Sequence, residues 1–183
     1  MANPTARQRL QLVATELGPR AIEESLENLS RLEKALHWIE PVITNTQYPI
    51  VIDIGCGLGV IDCALTTDKK TDIRGMDKFV WQLKSETNHF GMTAEEQQSA
   101  QNVWKKHNFK IQDGDIDSSW PFETDVADLV ISNAVFEHLN GTHKLFLKEA
   151  FRIVKPGGYF FLSTPNLTYL LKRIRFLIGR SPN

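Results

Sequence analysis

The stretch Asp53-Ile54-Gly55-Cys56-Gly57-Leu58-Gly59 constrains this chain more than any other. It continues Ile50-Val51-Ile52, an apolar, β-branched run that predicts a buried strand. A strand that ends on an acid and turns through three alternating glycines into a helix can bring backbone close to a ligand, because glycine lacks a Cβ and tolerates positive φ. The dinucleotide fingerprint GxGxxG requires glycine at position 60, where this chain carries Val60. A pyrophosphate also favours a helix N-terminus free of nearby carboxylate, whereas a positively charged ligand gains from Asp53. A nicotinamide-dependent oxidoreductase therefore fits poorly. A plain glycine turn is the competing reading of the loop taken alone.

The rest of the chain supplies the frame. Residues 20–39 place Ile22, Leu26, Leu29, Leu32, Leu36 and Ile39 at spacings of three and four, which predicts a helix with one apolar stripe. Glu40-Pro41 is expected to end it. Short helical and strand patterns then alternate. A helix is expected around Val60–Leu65, a strand over Asp72–Met76, helical material with a polar insert over Trp81–Lys106, and strands at Phe109–Ile111 and Ala127–Ser132. A helix over Leu145–Val154 should present Leu147, Ala150, Phe151 and Val154 on one face, with Lys155-Pro156-Gly157-Gly158 stopping it before a strand at Tyr159–Ser163. Strands that are apolar throughout and alternate with helices predict an α/β fold, a doubly wound parallel sheet covered on both faces. The expected division is an N-terminal helical cover over 1–45 and a core over 46–183 that ends in a helix over 167–179.

Bulk properties narrow the partners. With 183 residues, 42% hydrophobic and 23% charged, the chain suits one globular domain. A net charge of -1 provides no basic field for nucleic acid, so none is expected. Two cysteines without a CxxC pair support neither a disulfide framework nor zinc. No signal peptide or membrane-spanning run is evident, and a cytoplasmic location is expected.

Two further acidic segments follow strands. Asp77 sits just past the second strand, placed to accept ribose hydroxyls. Gln112-Asp113-Gly114-Asp115-Ile116 follows the third, where Asp115 could accept from an adenine amino group and the Ile116 amide could face a ring nitrogen; a solvated acidic turn is the alternative.

Taken in order and spacing, VIDIGCGLG, GMDKF, DGDI, ADLVISNAVFEHL and RIVKPGGYFFLSTPN resemble class I S-adenosylmethionine-dependent methyltransferases, most of all the type 11/12, ubiquinone-biosynthesis-like branch, over about residues 35–166. The resemblance implies a Rossmann-like sheet of order 3-2-1-4-5 and S-adenosyl-L-methionine as cofactor. It implies that Asp53, Gly55 and Gly57 meet the methionine part, Asp77 the ribose and Asp115 and Ile116 the adenine, that Cys56 and Lys78 also bind the cofactor, and that Asn133 lines the methyl-transfer site. Resembling domains continue with a helix and two more strands, so strands 6 and 7 are expected to be missing, with the fifth strand left as an unpaired edge that favours self-association. The Glu137-His138 pair resembles an ExxEH metal segment whose first glutamate is here Ala134; two ligands rarely hold a hard cation, and no metal is expected. His138 is the candidate general base, because imidazole titrates near neutrality. A helical tail over 167–180 interleaves leucines with Lys172, Arg173, Arg175 and Arg180, which fits either a crossover helix or a segment lying on an anionic membrane. The expected activity is methyl transfer to an oxygen of a small-molecule, lipid-linked or saccharide acceptor. A cofactor-binding module without turnover is the alternative.

Overall fold

Five apolar runs become five parallel strands: β1 (Ile50–Ile54), β2 (Asp72–Asp77), β3 (Phe109–Asp113), β4 (Ala127–Asn133) and β5 (Val154–Ser163). They pair in the order β3-β2-β1-β4-β5. The computed structural model describes residues 3–65, 70–78, 93–140 and 143–165, with 177 and 179. The expected helix over 167–179 lies outside the described residues but for Leu177 and Gly179, and so does most of the polar insert after Trp81.

Side chains alternate across a strand, so each strand feeds two cores. Val51, Ile73, Leu129 and Ile131 pack on one face with α1 (Ala6–Leu17), α2 (Pro19–Thr44), α3 (Val60–Leu65) and α4 (Ala94–Lys106). Ile52, Ile54, Met76 and Val130 pack on the other with Phe146, Ala150 and Ile153 of α5 (His143–Ile153) and with Trp120. Asp53 follows Val51 by two residues and so points toward the α1–α3 side.

Three expectations need correction. Pro41 does not end the second helix, which runs on to Thr44. Proline removes only the bond to the carbonyl of His37, an exposed residue whose carbonyl water can satisfy, and the helix closes with Asn45 N–H donating to Pro41 O at 3.3 Å. α5 buries Phe146, Glu149, Ala150 and Ile153, while Phe151 is 69% exposed; the apolar stripe lies one position away from where the leucine and phenylalanine spacing put it. Lys155-Pro156-Gly157-Gly158 is part of β5 and does not precede it. Ala127 pairs with Val154 and Leu129 with Tyr159, so the Pro-Gly-Gly residues loop out as an irregularity within the strand.

Apolar periodicity marks only the helix at 20–39 of the N-terminal segment; a separate helix at 6–17 precedes it. Thr5 and Gln8 form a capping box at its start, and Gly18 at φ +106° turns the chain directly into α2. Arg9 pairs with Glu40, and Arg7 with Glu33 at 3.0 Å, so the two helices close on each other. Glu16 then reaches Lys106 at 2.6 Å and His107 at 2.8 Å, tying α1 to the end of α4. This arrangement lays α2 across the C-terminal end of β1. Among the described residues β5 has β4 as its one strand neighbour, with Tyr159 and Leu162 exposed. No helix among the described residues is long and apolar enough to cross a membrane.

Candidate cofactor site

Parallel strands leave their last N–H groups and side chains at one edge of the sheet, and the loop after β1 is built on that edge. Gly55 N–H donates to Met76 O at 2.8 Å, and Gly57 N–H donates to the Asp77 carboxylate at 2.8 Å. Asp77 therefore fixes the loop from the neighbouring strand. Gly55 sits at φ +76° with Val135 so close that a Cβ would lie 2.4 Å from its Cγ2. Gly59, at φ +72°, leaves no room for a Cβ because the Phe109 ring lies 2.4 Å from where it would be; the same ring excludes a Cβ at Gly75 of β2. A Cβ on Gly57 would enter open space. The Trp104 indole N–H donates to Leu58 O at 2.9 Å, a second tether from outside the loop. The loop is thus held in a shape that leaves one side clear.

That clear side opens on a cavity of about 460 Å³. Its floor is Asp53, Gly55, Cys56 and Gly57; Asp77, Asn133 and His138 form the sides. The opposite wall is α2, through Arg20, Glu24, Ser25, Asn28 and Arg31. Of the residues expected at a cofactor site, the fold brings Asp53, Gly55, Cys56, Gly57, Asp77 and Asn133 together here, with His138 beside them. It places Lys78, Asp115 and Ile116 outside the cavity lining. Lys78 donates to Asp115 at 2.8 Å in an exposed ion pair, and Asp115 also accepts the Asp117 amide at 3.0 Å. Lys78 holds the Asp115 carboxyl below its ordinary range. Ile116 packs beside the second core, where its carbonyl accepts the Trp120 indole N–H.

Nothing in the sequence marks the α2 wall, whose polar residues lie along the margin of the apolar stripe. Ser25 is 4% exposed, and its hydroxyl meets no partner. The Arg31 Nε is likewise buried without an acceptor, and burial lowers its pKa while the charge of Glu137 raises it. Opposite stands Asp53, with Asp62 behind it. Asp53 is 3% and Asp62 0% exposed; Asp53 Oδ1 and both Asp62 oxygens are without a side-chain donor. Burial pushes the Asp62 carboxyl up to about 7. Asp53 is pushed well up by burial first, then by the charges of Asp62 and Asp77. Two acceptor-only groups in contact can be satisfied only if they share a proton. The Cys56 thiol is also driven up by burial and these carboxylates, which favours the protonated thiol over the thiolate.

At the far side, β4 ends on Asn133, whose side chain accepts from Ser163 Oγ. Ala134 follows in the left-handed region at φ +59°, a conformation that costs an alanine about 1 kcal/mol and is retained where surrounding contacts demand it. It delivers Val135 onto Gly55 and starts the 3-10 turn Phe136–His138. Glu137 and His138 are carried on that turn, and Ala134 adds no ligand to them.

A buried acid beside a glycine hinge, a second acid at the end of β2 and a parallel 3-2-1-4-5 sheet define a Rossmann-like cofactor-binding domain. Comparison with known proteins narrows the class. Residues 9–180 match the family described as "Methyltransferase domain". The chain is 31% identical over 121 residues to the mitochondrial ubiquinone biosynthesis O-methyltransferase of Dictyostelium discoideum, an alignment covering 66% of this chain and 36% of that protein. Among solved structures it is similar to the PH0226 protein of Pyrococcus horikoshii, at TM-score 0.56 and 20% identity, over 87% of this chain and 66% of that one. It is also similar to coclaurine N-methyltransferase bound to N-methylheliamine and SAH, at TM-score 0.52 and 14% identity, over 73% and 34% of the two chains. The chain belongs to the methyltransferase-domain family, whose cofactor is S-adenosylmethionine. It spans about a third of the length of the curated relative it matches.

Proposed function

We propose that this chain binds S-adenosylmethionine in the cavity between the β1 hinge and α2 and acts as a methyltransferase toward an oxygen of a small-molecule, lipid-linked or saccharide acceptor. One observation carries the reading: the buried Asp53 carboxyl, with no cationic partner in the described chain, and Arg31, whose Nε has no acceptor, line the same cavity from opposite walls. A zwitterionic amino acid moiety presents matching charges, its ammonium toward Asp53 and its carboxylate toward Arg31. Desolvated groups of this kind are costly until a ligand supplies the partner. Asp77, at the end of β2, is assigned to a ribose hydroxyl, and Asn133 to the edge of the transfer site. Asp115 and Ile116 remain assigned to the adenine end beyond the cavity, with the Lys78–Asp115 pair exchanging partners when a base is present.

The bound cofactor supplies a methyl group already activated on a sulfonium sulfur. What falls to the protein is alignment and, for a hydroxyl acceptor, removal of a proton. His138, which lines the cavity with Asn133, is the candidate to take that proton. The oxygen acceptor is favoured by the name of the curated relative, an O-methyltransferase.

Calorimetric titration with S-adenosylmethionine and S-adenosylhomocysteine, with NAD as control, tests the binding claim. Transfer of a labelled methyl group to pooled phenols, carboxylic acids and sugars tests the activity. Binding of NAD in preference to both adenosyl ligands overturns the reading. Binding without transfer to any pool leaves a cofactor-binding module.

A further inference from the structure

The cavity floor carries more negative groups than one cofactor ammonium needs. Asp62, on the first turn of α3, sits behind Asp53 and is fully buried. It does not line the cavity, so no ligand placed there touches it. Beyond its own backbone amide its two oxygens meet no donor, which leaves the neighbouring Asp53 carboxyl as the side chain that can complete it, through one shared proton. The proton cannot remain indifferent to what occupies the cavity. A cation against the outer side of Asp53 favours the ionised form of the pair by direct attraction in a poorly solvated site.

We infer that occupation of this cavity by a cationic amino acid ligand expels the proton held between Asp53 and Asp62, so that ligand affinity rises with pH and binding releases acid to the solvent. The inference rests on the proposed placement of the cofactor's ammonium at Asp53. Asp62 is then a positioning residue that acts through Asp53.

The charged and titratable groups around the pair each bear on the sign. Asp77 from β2 faces Asp53 and is bound to the Gly57 amide. Cys56 from the hinge and Cys63 from α3 lie in the field of Asp62 and, with their thiols driven up, stay protonated through the neutral range. Glu16 of α1 acts on Cys63 and is itself held by Lys106 and His107. Across the cavity stand Arg20, Glu24 and Arg31 of α2, with Glu137 and His138 beyond. Arg31 stays charged across the neutral range and attracts the ligand's carboxylate throughout it. His138 lines the cavity as well, and a substitution at Asp62 assigns the released proton to the carboxyl pair.

The test is calorimetric titration of the full chain with S-adenosylhomocysteine between pH 5.5 and 7.5, in pairs of buffers of different ionisation enthalpy. 5′-Methylthioadenosine, which lacks the amino acid part, serves as control. The wild-type chain is expected to release close to one proton per bound S-adenosylhomocysteine at the low end of the range, with affinity rising up to about tenfold per pH unit there. Methylthioadenosine should release none. Asp62→Asn gives Asp53 an amide donor in place of the shared proton and should bind without release and with little pH dependence. Proton release that persists in Asp62→Asn, or wild-type binding with no release, overturns the inference and leaves the proposed function standing. Failure to bind either adenosyl ligand overturns both. If Asp62→Asn does not fold, the contrast between the two ligands on the wild-type chain decides the matter alone.

Discussion

Two buried carboxyl sites in this molecule are solved in opposite ways. Glu149 of α5, 5% exposed, accepts from Arg152 Nε at 3.0 Å, from Arg152 Nη2 at 2.6 Å and from the Trp120 amide at 2.9 Å. Arg152 spends its remaining donors on the carbonyls of Phe122 and Trp120. Every polar group there has a partner within the chain, and the result is a clasp that binds the 120–124 loop to α5. Asp53 and Asp62, as deeply buried, have no cationic partner, only each other and the nearest backbone amides. The hydrogen bond from Arg152 lowers the Glu149 pKa, whereas burial raises both aspartates. Completed polar burial holds a fold together; incomplete polar burial is destabilising by itself and makes sense where a ligand finishes it.

The largest effect that would break this contrast is expected at Asp53. Asp53→Asn should weaken S-adenosylhomocysteine binding by about a hundredfold, the loss of a charge-assisted contact of roughly 2–3 kcal/mol, without lowering the melting temperature of the free chain. Calorimetry reads the first and differential scanning the second; unchanged affinity would make the unpartnered oxygen a mere defect. At the clasp the pattern should invert. Glu149→Gln strands Arg152 and should cost about 2–4 kcal/mol, a melting shift of roughly 8 °C, while affinity measured well below the transition stays the same.

A smaller effect sharpens the comparison through pH. Carboxyls whose folded pKa is raised contribute stability that is present below their unfolded pKa and is lost as pH rises through the folded value, here about 7 for Asp62. Glu149, with a lowered pKa, contributes stability present above its unfolded pKa and lost in acid. Denaturant titrations of the ligand-free wild-type chain should therefore show stability falling from pH 6 to 8. Asp62→Asn should recover about 1–2 kcal/mol at pH 8 and leave the acid limb unchanged. The smallest effect belongs to Lys78→Ala, which removes an exposed ion pair and should leave the melting temperature where it was.

The sheet was legible because its strands are short, apolar and β-branched, a pattern that few alternatives share. Asp53, Asp77 and the glycines were legible because backbone geometry ties them to strand ends. The first helix was not, since ARQRLQLVATEL spreads four buried residues among polar ones and its start depends on a capping box four residues wide. Pro41 misled because proline's penalty is local and an exposed carbonyl can absorb it. The α2 wall and Asp62 were hidden for a different reason. Ser25, Arg31 and Asp62 look like ordinary surface residues in sequence, and only tertiary packing removes their solvent. Burial of a polar group is a property of the assembled chain, and no periodicity announces it.

The ring of Phe109 stands on an outer strand, yet it meets the space above both Gly59 and Gly75. Side-chain size at these three positions is consequently one shared quantity. Enlarging either glycine asks the ring to shrink, and trimming the ring would slacken the hinge without touching its sequence. A residue at the rim of the sheet thereby governs how tightly the turn at its centre can grip.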